Sequence, residues 1–425
     1  MDQLFLTLTS AQTAFSVLAD YWWIWLPLVL VIACWEAFVH YNRLVHLAGL
    51  KWVLLEIRVP QEAHKSLNAM EQIFTSLHSI PMPWPPRDLE DYYNRWKSTY
   101  IQGKIPEWLS LEIVSISGEI HFYVRVLEES RHVVEAQIYA HYPDCEITPV
   151  ADYTAQLPPF LPTADIDMSA LELALIKEEI FPLKTYPEFE EQGAGKEDVK
   201  RIDPLAPLAE SMSSLAFGEY LGVQILIRPT GDGWIKKGQP VLDKLMGKKP
   251  KEQKDWLEKG FTAIDSALMG AGPVDEKKDD KDKPFNTLNP GLQDTIKLIE
   301  RGLSKLAFET GIRILYVAPR DRYNKSRIRS VAAAFKQFSS QALNGFRPGF
   351  GAEVYKGFNK ETRTLYNKGL LYKRYRLREF PKNPFVLNTE ELTTVFHFPD
   401  IGVKTPALPR IEAKKGEPPS GLPIV

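Results

Sequence analysis

The sequence predicts an α+β protein in which an N-terminal transmembrane helix is followed by two ferredoxin-like (βαββαβ) modules with insertions. Three observations carry that expectation. Tyr21–Val39 is an apolar, Trp-rich run; hydrophobic patterns across residues 51–152 follow a strand-helix-strand-strand-helix-strand order; and residues 165–385 pass through a similar order again.

The run "YWWIWLPLVLVIACWEAFV" carries one charge, Glu36, and opens with Trp22, Trp23 and Trp25, with Trp35 near its far end. Aromatic rings at the ends of an apolar stretch of this length mark a bilayer-spanning helix with interfacial anchors. The flank before it has Asp2 and Asp20 and no Lys or Arg, so it lacks the basic start of a cleaved signal peptide. Residues 1–50 are therefore read as a membrane anchor. Arg43 and Lys51 follow the run, and the positive-inside rule puts the N-terminus outside and the later residues in the cytoplasm, at the inner membrane. Residues 3–19 lack charge except at their flanks and suit an interfacial or re-entrant helix.

The first module, residues 51–152, starts with the strand "KWVLLEIRVP". It continues through a helix at 63–80, a hairpin turning at Ser117-Gly118, a helix at 130–143 and the closing strand "CEITPV". The segment "MPWPPRDLEDYYNRWKSTYIQGK" interrupts it as an ordered, aromatic insertion. A linker, "LPPFLPTAD", leads to the second module, residues 165–385. Its strands are expected in 170–186, at "EYLGVQILIRP" and at "GIRILYVAP", and its helices at 203–216, 291–308 and 326–340. A charged insertion at about 230–290 includes "GPVDEKKDDKDKP", too polar to fold alone, and 272–286 are expected to be disordered. The last segment, 386–425, reads as a short helix begun at Asn388-Thr389-Glu390-Glu391 and an extended, Pro-rich tail. Leu392, Val395, Phe396 and Phe398 are its apolar residues, expected to serve as a partner-docking tail, with the first three packed on the second module.

Across 425 residues, 52 Lys and Arg nearly balance 54 Asp and Glu, so net charge names no partner. Cys34 and Cys145 form neither a disulfide framework nor a metal spacing. A Walker A loop is missing, and "GAGKED" lacks both the first Gly and the Ser/Thr that would hold magnesium. His132, Glu135 and His141 share a helix, but His141 cannot readily join the other two on a metal, so they read as a solvated face. Neither a nucleophile elbow nor an activated Cys is found. No enzyme activity and no cofactor are expected.

One local asymmetry remains. Within "KETRTLYNKGLLYKRYRLREF", Lys368, Lys373, Arg374, Arg376 and Arg378 interleave with Tyr366, Tyr372 and Tyr375. Basic residues among aromatics can follow a phosphate backbone and stack bases; they can also meet anionic lipid or line a solvated two-stranded ribbon. All three readings stay open.

The stretches "WVLLEIRVP", "AMEQIFTSLHSI", "FPLKTYPEFE" and "LNTEELTTVFHFPD…TPALPRIEAKKGEPPSGLP" resemble the non-catalytic N-terminal region of bacterial type IV secretion and conjugative DNA transfer ATPases, the TraD-like, HerA/FtsK-related group. In that group such a stretch leads into a motor domain carrying Walker A. The sequence ends where the motor would begin. The resemblance therefore implies a platform subunit that docks a separate translocating ATPase at the cytoplasmic face of the membrane. The alternative is a stand-alone membrane-tethered scaffold for other envelope or secretion proteins. Besides the membrane, the expected partners are a motor subunit or other secretion-system proteins; nucleic acid and a homo-oligomer stay open.

Overall fold

The computed structural model describes residues 20–60, 67–80, 87–191, 203–246 and 289–399. The expectations for residues 3–19, "GAGKED", the 272–286 loop and the Pro-rich tail lie outside these. The chain divides into two compact units, residues 1–52 with 83–107, and residues 53–82 with 108–425.

The first unit contains α1 (Trp22–Gly49), a 28-residue helix. Among the described residues it is the one helix long and apolar enough to cross a membrane, through the window Leu26–Gly49. Helix α3 (Leu89–Trp96), continued by a π turn (Lys97–Ile101), belongs to the same unit. This is the aromatic insertion foreseen between helix and hairpin.

The second unit is built on one antiparallel sheet. Its strands, in chain order, are β1 (Trp52–Arg58, entering from the first unit), β2 (Leu109–Ile116), β3 (Glu119–Leu127), β4 (Glu146–Val150), β5 (Ile166–Leu175), β6 (Tyr220–Thr230), β7 (Ala307–Pro319), β8 (Phe346–Gly351) and β9 (Phe385–Asn388). They lie in the order β4-β1-β3-β2-β6-β7-β5-β8, with β9 on β7. The sheet thus runs without a break across both predicted modules. It is joined where β2 meets β6 antiparallel, Leu109 opposite Ile227 and Ile116 opposite Tyr220. Hairpin β2–β3 turns at Ser117 and Gly118, as its sequence predicts, both at positive φ (54° and 96°).

One face of the sheet carries α2 (Leu67–Leu77), α4 (Arg131–His141), α6 (Ala206–Ser213), α9 (Ser326–Ala334) and α11 (Thr389–Val395), whose apolar residues form a single core with alternate strand residues. In β2 those are Leu109, Leu111 and Ile113. Helix α5 (Tyr186–Glu191) joins this core through Phe189. The other face is covered by α10 (Lys360–Leu377) through Leu371, Tyr372 and Tyr375. The basic segment is therefore a helix rather than a ribbon, because those three residues recur at the three- and four-residue intervals of a helix face. Helix α7 (Gly233–Leu245), in the charged insertion, and α8 (Pro290–Leu303), which follows it, bury Leu242, Ile296 and Ile299 with Ile180.

The final helix, α11, begins where its sequence predicts. Asn388 Oδ1 accepts from the Glu391 amide at 2.9 Å, and the Glu391 carboxylate accepts from the Asn388 amide at 2.9 Å, closing a capping box. The expectation of a partner-docking tail does not hold for its apolar residues. Leu392, Val395, Phe396 and Phe398 are all buried in the main core. Phe396 meets Phe74 of α2 and Phe122 of β3 edge-on, at 6.5 and 6.2 Å between ring centres, so its ring packs on the first predicted module, where the sequence points to the second. Side chains committed to a core offer no surface to a partner.

Replacing Phe396 by Ala deletes a fully buried ring and is expected to destabilise the second unit by about 3–5 kcal/mol, read from the shift of its chemical denaturation curve. Burial pushes the Glu391 carboxyl up to about 7 from its ordinary 4.5, the amides of Asn388 and Leu183 pulling the other way. Between these values the folded chain keeps a proton that the unfolded chain has released. Stability from this group is thus full at low pH and lost as pH rises through about 7. Glu391→Gln should flatten that slope between pH 4.5 and 7; an unchanged slope would show that Glu391 titrates normally.

Candidate functional site

One row of polar residues on the sheet converges under α10. Glu112 on β2 stands opposite Gln224 on β6, Gln224 opposite Arg313 on β7, and Arg313 opposite Glu172 on β5, making one polar row across four adjacent strands. Strand alternation explains it. These residues face away from the main core and would be in water if α10 were absent.

Helix α10 closes the row. Arg378, its C-cap, donates from Nε to Glu112 Oε1 at 2.9 Å and from Nη1 to Asp152 Oδ2 at 2.5 Å. Ser110 donates to Glu112 at 2.6 Å, and the Tyr153 hydroxyl donates to the other carboxylate oxygen. Gln224 bridges the Glu112 carboxylate and the Tyr375 carbonyl, each at 3.2 Å. Arg313 donates to Glu172 at 2.8 Å and to the Arg374 carbonyl at 2.9 Å. The hydroxyls of Tyr153 and Tyr220 meet that of Tyr375 at 3.1 and 2.8 Å.

Burial works against the Glu112 carboxylate, but the Arg378 charge and the hydrogen bonds from Arg378, Ser110 and Tyr153 outweigh it, holding the group below its usual range. Burial raises the phenols of Tyr153 and Tyr220 well above their ordinary value, so both stay neutral donors. Arg378 adopts the left-handed region (φ 48°), a conformation costing a non-glycine residue about 1–3 kcal/mol, and its two carboxylate partners fix it there. Chemically the cluster is a satisfied lock rather than an open reaction centre: Glu112 and Arg378 are both fully buried.

This arrangement distributes the five basic residues singled out in the sequence. Lys368 is buried on Asp167 at 2.7 Å, Arg374 lies 3.7 Å from Glu172, Arg376 donates to the Pro159 carbonyl at 2.9 Å, and Arg378 belongs to the lock. Lys373 is exposed. They do not form one phosphate-tracking face. Trp22 and Trp23 are exposed at the start of α1 and Trp35 midway along it, stacked on Trp96. Among the described residues, no group of three His, Cys, Asp or Glu could hold a metal ion.

Sequence reasoning missed Glu112, Asp152, Glu172, Gln224 and Arg313. A signal was present: a lone polar residue inside an otherwise apolar strand, Gln224 in "YLGVQILI" and Arg313 in "GIRILYV". Such a residue needs a buried partner.

An open cleft of about 480 Å³ lies between α9 and strands β5 and β8. Its floor is apolar, with Leu171, Ile328, Ala332 and Phe346, and its rim carries Lys325, Arg329, Lys336 and Arg347. Lys325 pairs with Glu353 at 3.1 Å and Arg347 donates to the Leu175 carbonyl at 2.9 Å, whereas Arg329 and Lys336 meet no carboxylate among the described residues. An apolar slot of this size with unpaired cations at its mouth can accept an anionic amphipathic ligand.

Fold and site together define a mixed α+β protein with, among the described residues, one candidate membrane-spanning helix and an antiparallel sheet closed on both faces by helices. Residues 40–410 match the family described as a domain of unknown function, DUF8128, and the chain belongs to that family. No curated protein matches the chain.

Removing Arg378 should expose the energetics of the lock. Arg378→Met leaves Glu112 buried without its cation and is expected to destabilise the second unit by about 3–5 kcal/mol. Adding Glu112→Leu should recover at least half of that loss, measured as the coupling energy of a double-mutant cycle by denaturation. Additive losses would show that the two residues act independently.

Proposed function

We propose that this protein is a membrane-tethered, non-catalytic docking platform. The observation that carries the reading is α1, a helix with the length and apolarity of a bilayer span, whose Trp22, Trp23, Leu28, Val31 and Ile32 are exposed. Arg43 and Lys51 after the apolar run support an outside N-terminus and cytoplasmic residues 51–425 at the inner membrane. The strand orders β4-β1-β3-β2 and β8-β5-β7-β6 both run fourth, first, third, second. That repetition supports two ferredoxin-like modules joined edge to edge, a fold that hosts binding modules and enzymes alike.

The resemblance to the N-terminal regions of conjugation and type IV secretion ATPases supplies the partner class, a translocating motor subunit. The second reading is a stand-alone scaffold for other envelope or secretion proteins. Either partner meets a surface suited to it at the α9–β8 cleft, where an apolar floor and a cationic rim match an acidic amphipathic segment. The platform reading includes no cofactor and no nucleotide turnover, since the sequence has no Walker A loop.

Full-length protein should stay in the membrane pellet after alkaline carbonate extraction, and its release into the supernatant would overturn the tether. The purified chain should hydrolyse no ATP. Affinity capture of the detergent-solubilised chain should recover a motor subunit under the first reading, and envelope or secretion proteins without one under the second. Arg329→Glu with Lys336→Glu should lower that recovery at least tenfold if the cleft is the docking point; equal recovery would assign docking elsewhere.

A further inference from the structure

We propose that α3 lies in the membrane–water boundary beside α1 as a second lipid contact, and that the hydrocarbon layer ends at the turn Trp35–Val39. The inference rests on the reading of α1 as a bilayer span and deepens it.

Leu89, Tyr92, Tyr93, Trp96 and Tyr100 recur at i, i+3, i+4, i+7 and i+11, one apolar stripe along α3 and its π turn. In a water-soluble unit such a stripe would be covered. Here it is open: Leu89 is 89% exposed, Tyr92 60%, Tyr93 58% and Trp96 42%. The opposite face carries Glu90, Asp91, Asn94 and Arg95.

The occupant is set by continuity with α1. Trp35 stacks on Trp96 at 6.2 Å and on Tyr100 at 6.4 Å, and lies 6.0 Å from Phe38, so the apolar surface of the anchor passes directly into the stripe. The junction is close-packed. A Cβ on Gly103, which has φ +66°, would come within 2.3 Å of the Asn42 backbone. Trp and Tyr favour the headgroup level, where an apolar body and a polar tip are both accommodated. Charged Glu90, Asp91 and Arg95 keep α3 out of the hydrocarbon. An amphipathic helix under both constraints lies in the boundary, with its stripe buried to roughly 5–10 Å.

That position selects between two spans. If Leu26–Gly49 crossed the bilayer, Trp35 and the helix stacked on it would stand at mid-depth with their carboxylates. A span of Tyr21–Val39 is about 28 Å long at about 1.5 Å per residue, close to a hydrocarbon core of roughly 30 Å, and it leaves α3 at the edge. Tyr41 to Gly49 then lie beyond the hydrocarbon.

The test uses the full chain, with Cys34 and Cys145 replaced by Ala, reconstituted in vesicles of phosphatidylcholine and phosphatidylglycerol. Single Cys residues at positions 31, 45, 92 and 94 carry the fluorophore NBD. Emission at 92 should shift to the blue and be quenched by lipids with shallow nitroxides, while 31 is quenched by deep nitroxides and 45 and 94 by neither. If 92 reports water while 31 is quenched, the boundary helix is wrong and the anchor stands; if 31 is unquenched, the anchor reading itself fails. A blue shift at 92 without nitroxide quenching would mean that a protein surface, such as a second copy of this chain, covers the stripe, and would overturn the lipid assignment.

Discussion

The second unit depends on a buried ionic contact, that of Arg378 with Glu112. Two charges have been taken out of water on the face of the sheet away from the main core, a transfer that is unfavourable unless every remaining polar atom finds a partner. Here Asp152, Ser110, Tyr153 and Gln224 supply those partners. Because Gln224 also bridges to Arg313 at 3.2 Å, and Arg313 to Glu172, the contact is the end of a chain that ties four strands to one helix. A hydrophobic patch would hold α10 to the sheet with less directional precision.

Other features of the sheet depend on that docking. At Gly222 on β6, a Cβ would come 2.0 Å from the Tyr375 hydroxyl, so the helix can approach only because this strand residue has no side chain. The strands β6 and β7 are sealed on both faces and read as nearly continuous apolar runs, whereas β4, at the sheet's edge, buries only Ile147. On the opposite face, α11 completes the core by setting Phe396 against Phe74 and Phe122, and its Thr394 hydroxyl accepts from the Tyr186 amide, so the last described helix ties together elements from both halves of the sheet.

These constraints bear on function through what they leave available. The buried ionisable cluster under α10 is consumed internally, and three of the seven basic residues of the 360–380 segment are paired with carboxylates. Among the described residues, the apolar surface of α1 and α3 in one unit and the cation-rimmed cleft in the other are open.

The local structure was legible in the sequence because its causes are local. An apolar run flanked by Trp marks α1, positive φ at Ser117-Gly118 comes from a tight two-residue turn, and the Asn388–Glu391 capping box starts α11 where the residues say it should. The alternation of Leu109, Leu111 and Ile113 with Ser110 and Glu112 predicts a strand with one wet face, and that is as far as periodicity reaches. Whether the polar face meets water or a helix depends on residues more than two hundred positions away, and only the tertiary structure brings Arg378 onto Glu112. The same holds for Phe396: its sequence marks it as apolar, and the packing of α2 and β3 around it decides that it is core and not a docking surface.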